Sequence, residues 1–140
     1  MLLAEDNPAD VVFFNEAIED SQTAAKVYVV ANGADVLRFV QREKPFADAP
    51  RPEVIVLDLN LPVRNGKDVL VDLMNEPELR TIPVAILTTS TSERHVCRSY
   101  SPGRCVYFVK TDEFARLKEI VREIADYARK LSEPPSAEAR

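Results

Sequence analysis

The chain has no apolar stretch near the roughly 18 residues that a membrane-crossing helix needs. Val54-Ile55-Val56-Leu57 is strand-sized. Basic charge is also in short supply. Lys and Arg total 18 against 23 Asp and Glu, a net charge of −5. Nucleic acid rewards clustered cations, so an acidic chain without a basic run argues against direct DNA binding. Histidine occurs once, His95, beside Ser92-Glu93-Arg94, and reads as a structural or solvated side chain. Two cysteines, Cys97 and Cys105, have neither metal spacing nor further partners. In a reducing compartment they are expected as free thiols packed as small apolar groups. No leader pattern precedes the acidic pair Glu5-Asp6, so the expected location is cytoplasmic. Repeats and linker-like segments are lacking too, which leaves one domain. The 46% hydrophobic and 29% charged residues describe a globular one.

What is present alternates between strand and helix. Leu2 to Ala4 is a short apolar run. Asn7-Pro8 follows, a cap and a first helical residue for a helix with Val11, Phe14 and Ile18 on one face. The periodicity then predicts a strand over 26–31, a helix holding Leu37 and Val40, and a proline-broken loop over 44–52. A strand follows over 54–57, a helix over 67–75, and a strand over 83–87. The last elements are a helix over 92–100, a strand over 106–109, and a helix over 113–131 with Asp112 as its cap. The domain therefore spans 1–131, and 132–140, with Pro134-Pro135, reads as a disordered tail. Five strands alternating with five helices predict an α/β doubly wound parallel sheet. The order 2-1-3-4-5 is a common solution, and it makes strands one and three neighbours at the switch point where such folds bind ligands.

Under that order the strand ends gather polar residues on one rim: Glu5-Asp6, Asp58, Thr88-Thr89 and Lys110. Each alone is ordinary loop chemistry. Together they pose a problem of repulsion that a hard divalent cation would solve, and Mg²⁺ suits carboxylates, a backbone carbonyl and waters. Lys110 adds a second positive charge, and Thr88 can hydrogen-bond a phosphoryl oxygen. Phosphoryl transfer depends mainly on positioning and electrostatics, which such a rim offers. An ionised, exposed Asp58 is the expected acceptor.

These residues carry a resemblance. Leu3-Ala4-Glu5-Asp6-Asn7, Val56-Leu57-Asp58-Leu59-Asn60-Leu61-Pro62, Asn65-Gly66, Leu87-Thr88-Thr89-Ser90 and Tyr107-Phe108-Val109-Lys110 resemble the motifs of the response regulator receiver domain of two-component systems, over about residues 1 to 130. The resemblance implies a flavodoxin-like fold with Asp58 as phosphoacceptor. It implies Mg²⁺ held by Asp6, Asp58 and the backbone carbonyl of Asn60, with Glu5 helping through water. Thr88 and Tyr107 become the switch pair, Lys110 pairs with phosphoryl oxygens, and Asn60 and Ser90 match positions that tune the acyl phosphate's lifetime. The segment 45–52 and the run from Leu87 are similar to stand-alone regulators partnered with phytochrome-type histidine kinases. The implied protein is no enzyme beyond assisting its own phosphorylation and dephosphorylation. Its implied partner is a sensor histidine kinase.

The family usually has proline after the lysine, often through a cis bond; here Thr111 follows Lys110. A cis bond there would cost about 2.5–4 kcal/mol, so the junction is either trans or strained. Two other readings compete. An aspartate-nucleophile phosphatase would want a second Asp where Asn60 stands. A scaffold would dimerise without phosphorylation. Phe114, Leu117, Val121, Ile124, Ala128 and Leu131 form a heptad stripe on the last helix, which suggests a homodimer through that helix and its C-terminal extension.

Overall fold

The computed structural model describes residues 1–132. The elements run β1 (Leu2–Ala4), α1 (Pro8–Asp20), β2 (Tyr28–Val30), α2 (Gly33–Val40), β3 (Ile55–Leu57), α3 (Gly66–Met74), β4 (Val84–Thr88), a 3₁₀ helix (Arg94–Ser99), β5 (Cys105–Val109) and α4 (Phe114–Ser132). All five strands are parallel and ordered β2-β1-β3-β4-β5, as the sequence predicts.

Strand residues alternate faces, and here both faces are apolar because both are covered. Leu2, Ala4, Ile55, Leu57, Val84 and Ile86 pack with Val36 and Phe39 of α2 and Val69, Leu70 and Leu73 of α3. Leu3, Val54, Val56, Ala85 and Leu87 pack on the other side with Phe14, Ala17 and Ile18 of α1 and Leu117, Ile120, Val121, Ile124 and Ala128 of α4. The heptad stripe is therefore largely buried in the chain's own core, while Leu131 stays half-exposed.

Helix starts follow local chemistry. Asn7 caps α1, its side chain accepting from the N–H groups of Ala9 (2.9 Å) and Asp10 (3.3 Å), with Pro8 in the first turn. Asn32 and Asn65 cap α2 and α3 by accepting from the N–H of Asp35 and of Asp68. At the last helix the expectation needs correcting. No Asp112 side-chain cap forms; Thr111 Oγ1 instead accepts the Glu113 N–H at 3.1 Å in the turn just before the helix. The helix predicted over 92–100 is a shorter 3₁₀ turn with no side-chain cap and one buried anchor, Val96, too little to hold a full α-helix. Lys44–Pro45 is the one cis peptide among the described residues, so Lys110–Thr111 is trans. Residues 133–140, with most of the predicted disordered tail, lie outside the described residues.

The free-thiol expectation is overturned: Cys97 and Cys105 are joined as a disulfide, their Cα atoms 5.3 Å apart. The 3₁₀ helix folds back beside the start of β5, a proximity that a separation of eight residues does not announce. Closing a loop this short restrains the unfolded chain by roughly 2–3 kcal/mol. Cys97→Ser should therefore lower unfolding free energy by about that amount in denaturant titration. Two titratable thiols in unreduced, denatured wild type would contradict the bond.

Candidate functional site

The carboxyl ends of β1, β3, β4 and β5 converge. Glu5 follows β1 and Asp58 follows β3, only 5% and 6% exposed, while Asp6 faces solvent. One carboxylate oxygen from each of Glu5, Asp6 and Asp58 lies within 4.8 Å of the others. Such a cluster is unfavourable alone, and part of the answer is Lys110, at the end of β5. Its Nζ lies 2.5 Å from Glu5 Oε1, 3.0 Å from Asp58 Oδ2 and 3.0 Å from Asp10 Oδ2. Burial works against the ammonium's charge, yet hydrogen bonds to Glu5, Asp10 and Asp58 outweigh it, so its pKa lies above the ordinary lysine value. Burial raises the Glu5 pKa above the usual carboxylate value, against the pull of Lys110 and of the Asn7 N–H at 3.2 Å.

Asp58 is oriented by its backbone and by its neighbours. Its N–H donates to Ala4 O at 3.2 Å, tying β3 to β1, and the Asn60 N–H donates to Asp58 Oδ1 at 3.1 Å. This corrects the expectation of an exposed acceptor. The carboxylate is mostly buried because Lys110 and the Asn60 amide replace water around it. Thr88 ends β4 fully buried, and its hydroxyl oxygen has no hydrogen-bond partner. An orphaned hydroxyl at a polar rim is a donor awaiting an acceptor. The backbone there is firm, since the Lys110 N–H donates to Thr88 O at 2.7 Å. Tyr107 is half-buried on β5, its hydroxyl donating to Ser90 O at 2.5 Å, with the Arg94 guanidinium 5.1 Å from its ring centroid. His95 is exposed and lies apart from these contacts.

The structure thus gathers Glu5, Asp6, Asp58 and Lys110, and sets Thr88 at the end of the neighbouring strand. Two residues escaped the sequence reading. Asp10 is in the first turn of α1, and that offset from the Glu5-Asp6 pair was the available signal. Arg94 had none, because a cation over a ring depends on how the 3₁₀ turn lies on β5. The donor set fits a small hard divalent cation: it is all oxygen, with carboxylates outnumbering the ammonium. A carboxylate held against the Lys110 ammonium is also a competent nucleophile for an anionic phosphorus centre.

Comparison with known proteins points the same way. A family model described as the response regulator receiver domain matches residues 1–122. The response regulator Rcp1 of Synechocystis sp. is 33% identical over 127 residues, covering 91% of this chain and 86% of that protein. Among solved structures, the phosphorylated cyanobacterial phytochrome response regulator RcpA is similar with a TM-score of 0.80 at 34% identity, 96% of each chain being covered. The Mn²⁺-bound form of Rcp1 gives 0.79 at 30% identity, covering 96% of this chain and 97% of that one.

Proposed function

This chain belongs to the response regulator receiver family, and from that premise we propose that it accepts a phosphoryl group from a histidine kinase onto Asp58 in a Mg²⁺-dependent relay. The observation that carries the reading is the position of Asp58, its Oδ2 3.0 Å from the Lys110 ammonium and its carboxylate in the Glu5-Asp6-Asp58 cluster. Asp58 attacks phosphorus, the bond from phosphorus to the donor's imidazole nitrogen breaks, and a new oxygen–phosphorus bond forms. Lys110 then turns from the Asp58 carboxylate to a phosphoryl oxygen. The unpartnered Thr88 hydroxyl donates to another, and Tyr107, with the Arg94 guanidinium over its ring, answers the change. Glu5, Asp6, Asp58 and the Asn60 carbonyl are the groups that would hold Mg²⁺, which when bound supplies positive charge against the phosphoryl oxygens.

The likeness to phytochrome response regulators supports a phytochrome-type kinase as donor. Among the described residues no helix is long and apolar enough to cross a membrane. The phosphatase reading is weakened by Asn60, which offers Asp58 an N–H and no acid. A homodimer through the last helix has less support than the stripe alone suggested, since α1 and the sheet cover most of it.

Incubation with phosphoramidate and Mg²⁺, followed by intact mass and peptide mapping, tests the reading. An increment of one PO₃H group should appear, map to the peptide holding Asp58, and be lost in base. No increment from phosphoramidate or from a phosphorylated phytochrome-type kinase, or an adduct on another residue, would overturn it.

A further inference from the structure

Lys110 meets three carboxylates, and on the phosphoacceptor reading, on which this inference rests, two of them have other duties. Glu5 and Asp58 both belong to the oxygen cluster suited to a cation, and Asp58 is also the group to be phosphorylated. Asp10 stands outside that cluster, yet its Oδ2 is 3.0 Å from Lys110 Nζ. We propose that Asp10 is a positioning residue for Lys110, the anchor that keeps the ammonium at the site once Glu5 and Asp58 are engaged elsewhere.

Two features make the anchor necessary and fit for its task. A lysine head is a point charge on a flexible four-carbon stem, so its partners, not its backbone, decide where it lies. Lys110 leaves β5 through an ordinary trans bond to Thr111, and its N–H is fixed to Thr88 O, which places the Cα and leaves the head free. Asp10, by contrast, is fixed from below. Its N–H donates to Asn7 Oδ1 at 3.3 Å, and the Asn7 N–H donates to Glu5 Oε2 at 3.2 Å, so the start of α1 is keyed to the end of β1. A carboxylate in the first turn of a helix is also favoured by the helix dipole. The Asp10 side chain is 42% exposed, so solvent screens the pair and its influence is moderate.

The test is a double-mutant cycle on adduct formation from phosphoramidate and Mg²⁺, read by intact mass over time. Asp10→Asn should slow the reaction about 5- to 10-fold, and Asp10→Glu should return it to within about twofold of wild type. In a Lys110→Ala background, Asp10→Asn should make no further difference, because the residue acts through the ammonium. Calorimetric Mg²⁺ affinity should stay within about twofold of wild type, since Asp10 is not in the oxygen cluster. A wild-type rate for Asp10→Asn, or an equal slowing with and without Lys110, would overturn the proposal. A wild-type chain that takes no phosphoryl group fails the phosphoacceptor reading itself, a result plainly different from either.

Discussion

Asp58→Asn is expected to abolish the phosphoryl adduct while leaving the protein folded and close to wild type in stability. The loss is chemical. An amide keeps the shape of the carboxylate but offers no ionised oxygen, so adduct formation should fall at least about a thousandfold, as it does when nucleophiles are removed elsewhere. The retained stability is electrostatic. Removing one partner of a buried ion pair is usually harmful because the other charge is stranded. Lys110 is not stranded, since Glu5 and Asp10 still accept from it. The charge on Asp58 also pushes the Glu5 pKa upward, and its removal relieves that repulsion. The net change should lie within about 1 kcal/mol, readable as a small shift in thermal midpoint. Two results would sink the argument: an adduct at the wild-type rate, or a variant that unfolds.

The contrast between Asp58 and its neighbours shows what the sequence made legible. Strands in parallel sheets end on one rim, so the position of each strand's last residue is enough to bring Glu5, Asp6, Asp58, Thr88 and Lys110 together once the order is known. Apolar runs of three to five residues marked those strands well. Side-chain reach was not legible. Asp10 touches Lys110 across 100 residues of sequence, a fact set by how α1 lies over the rim. The Cys97–Cys105 bond, although only eight residues apart in sequence, was likewise set by how the chain folds back. A reducing compartment argued for free thiols, while the return of the chain from the 3₁₀ helix to β5 places the sulfurs together. The stripe on α4 was read correctly as apolar. What covers it, α1 and the sheet, depended on which side of the sheet α4 takes.

Asn32-Gly33 and Asn65-Gly66 open α2 and α3 on either side of the loop that follows Asp58. Neither glycine has a positive φ; among the glycines only Gly103 does. Each is instead the first residue of a helix, and each helix is capped alike, with the Asn side chain accepting from the N–H of an Asp three residues on and donating back to its carboxylate. What both positions lack is room. A Cβ at Gly66 would stand 2.5 Å from the carbonyl oxygen of Asp58 and 2.7 Å from Leu59 Cα. A Cβ at Gly33 would overlap the backbone carbonyl of Arg64. The Gly33 N–H donates to Pro62 O and the Gly66 N–H to Leu59 O, so the two helices grip the loop after Asp58 from both sides. Backbone cannot swing aside as a flexible side chain can, so each substitution forces the loop to move. Gly33→Ala and Gly66→Ala should each lower stability by about 3 kcal/mol or more. A fall of roughly 10 °C in thermal midpoint would report it. Gly66→Ala should also slow phosphoryl uptake beyond what its stability loss explains, because the displaced carbonyl belongs to the acceptor. Gly33→Ala, pressing on Arg64 farther along the loop, should affect uptake less at a temperature where both variants are folded. Equal uptake by both variants and wild type under those conditions would mean that the acceptor's geometry does not depend on this clamp.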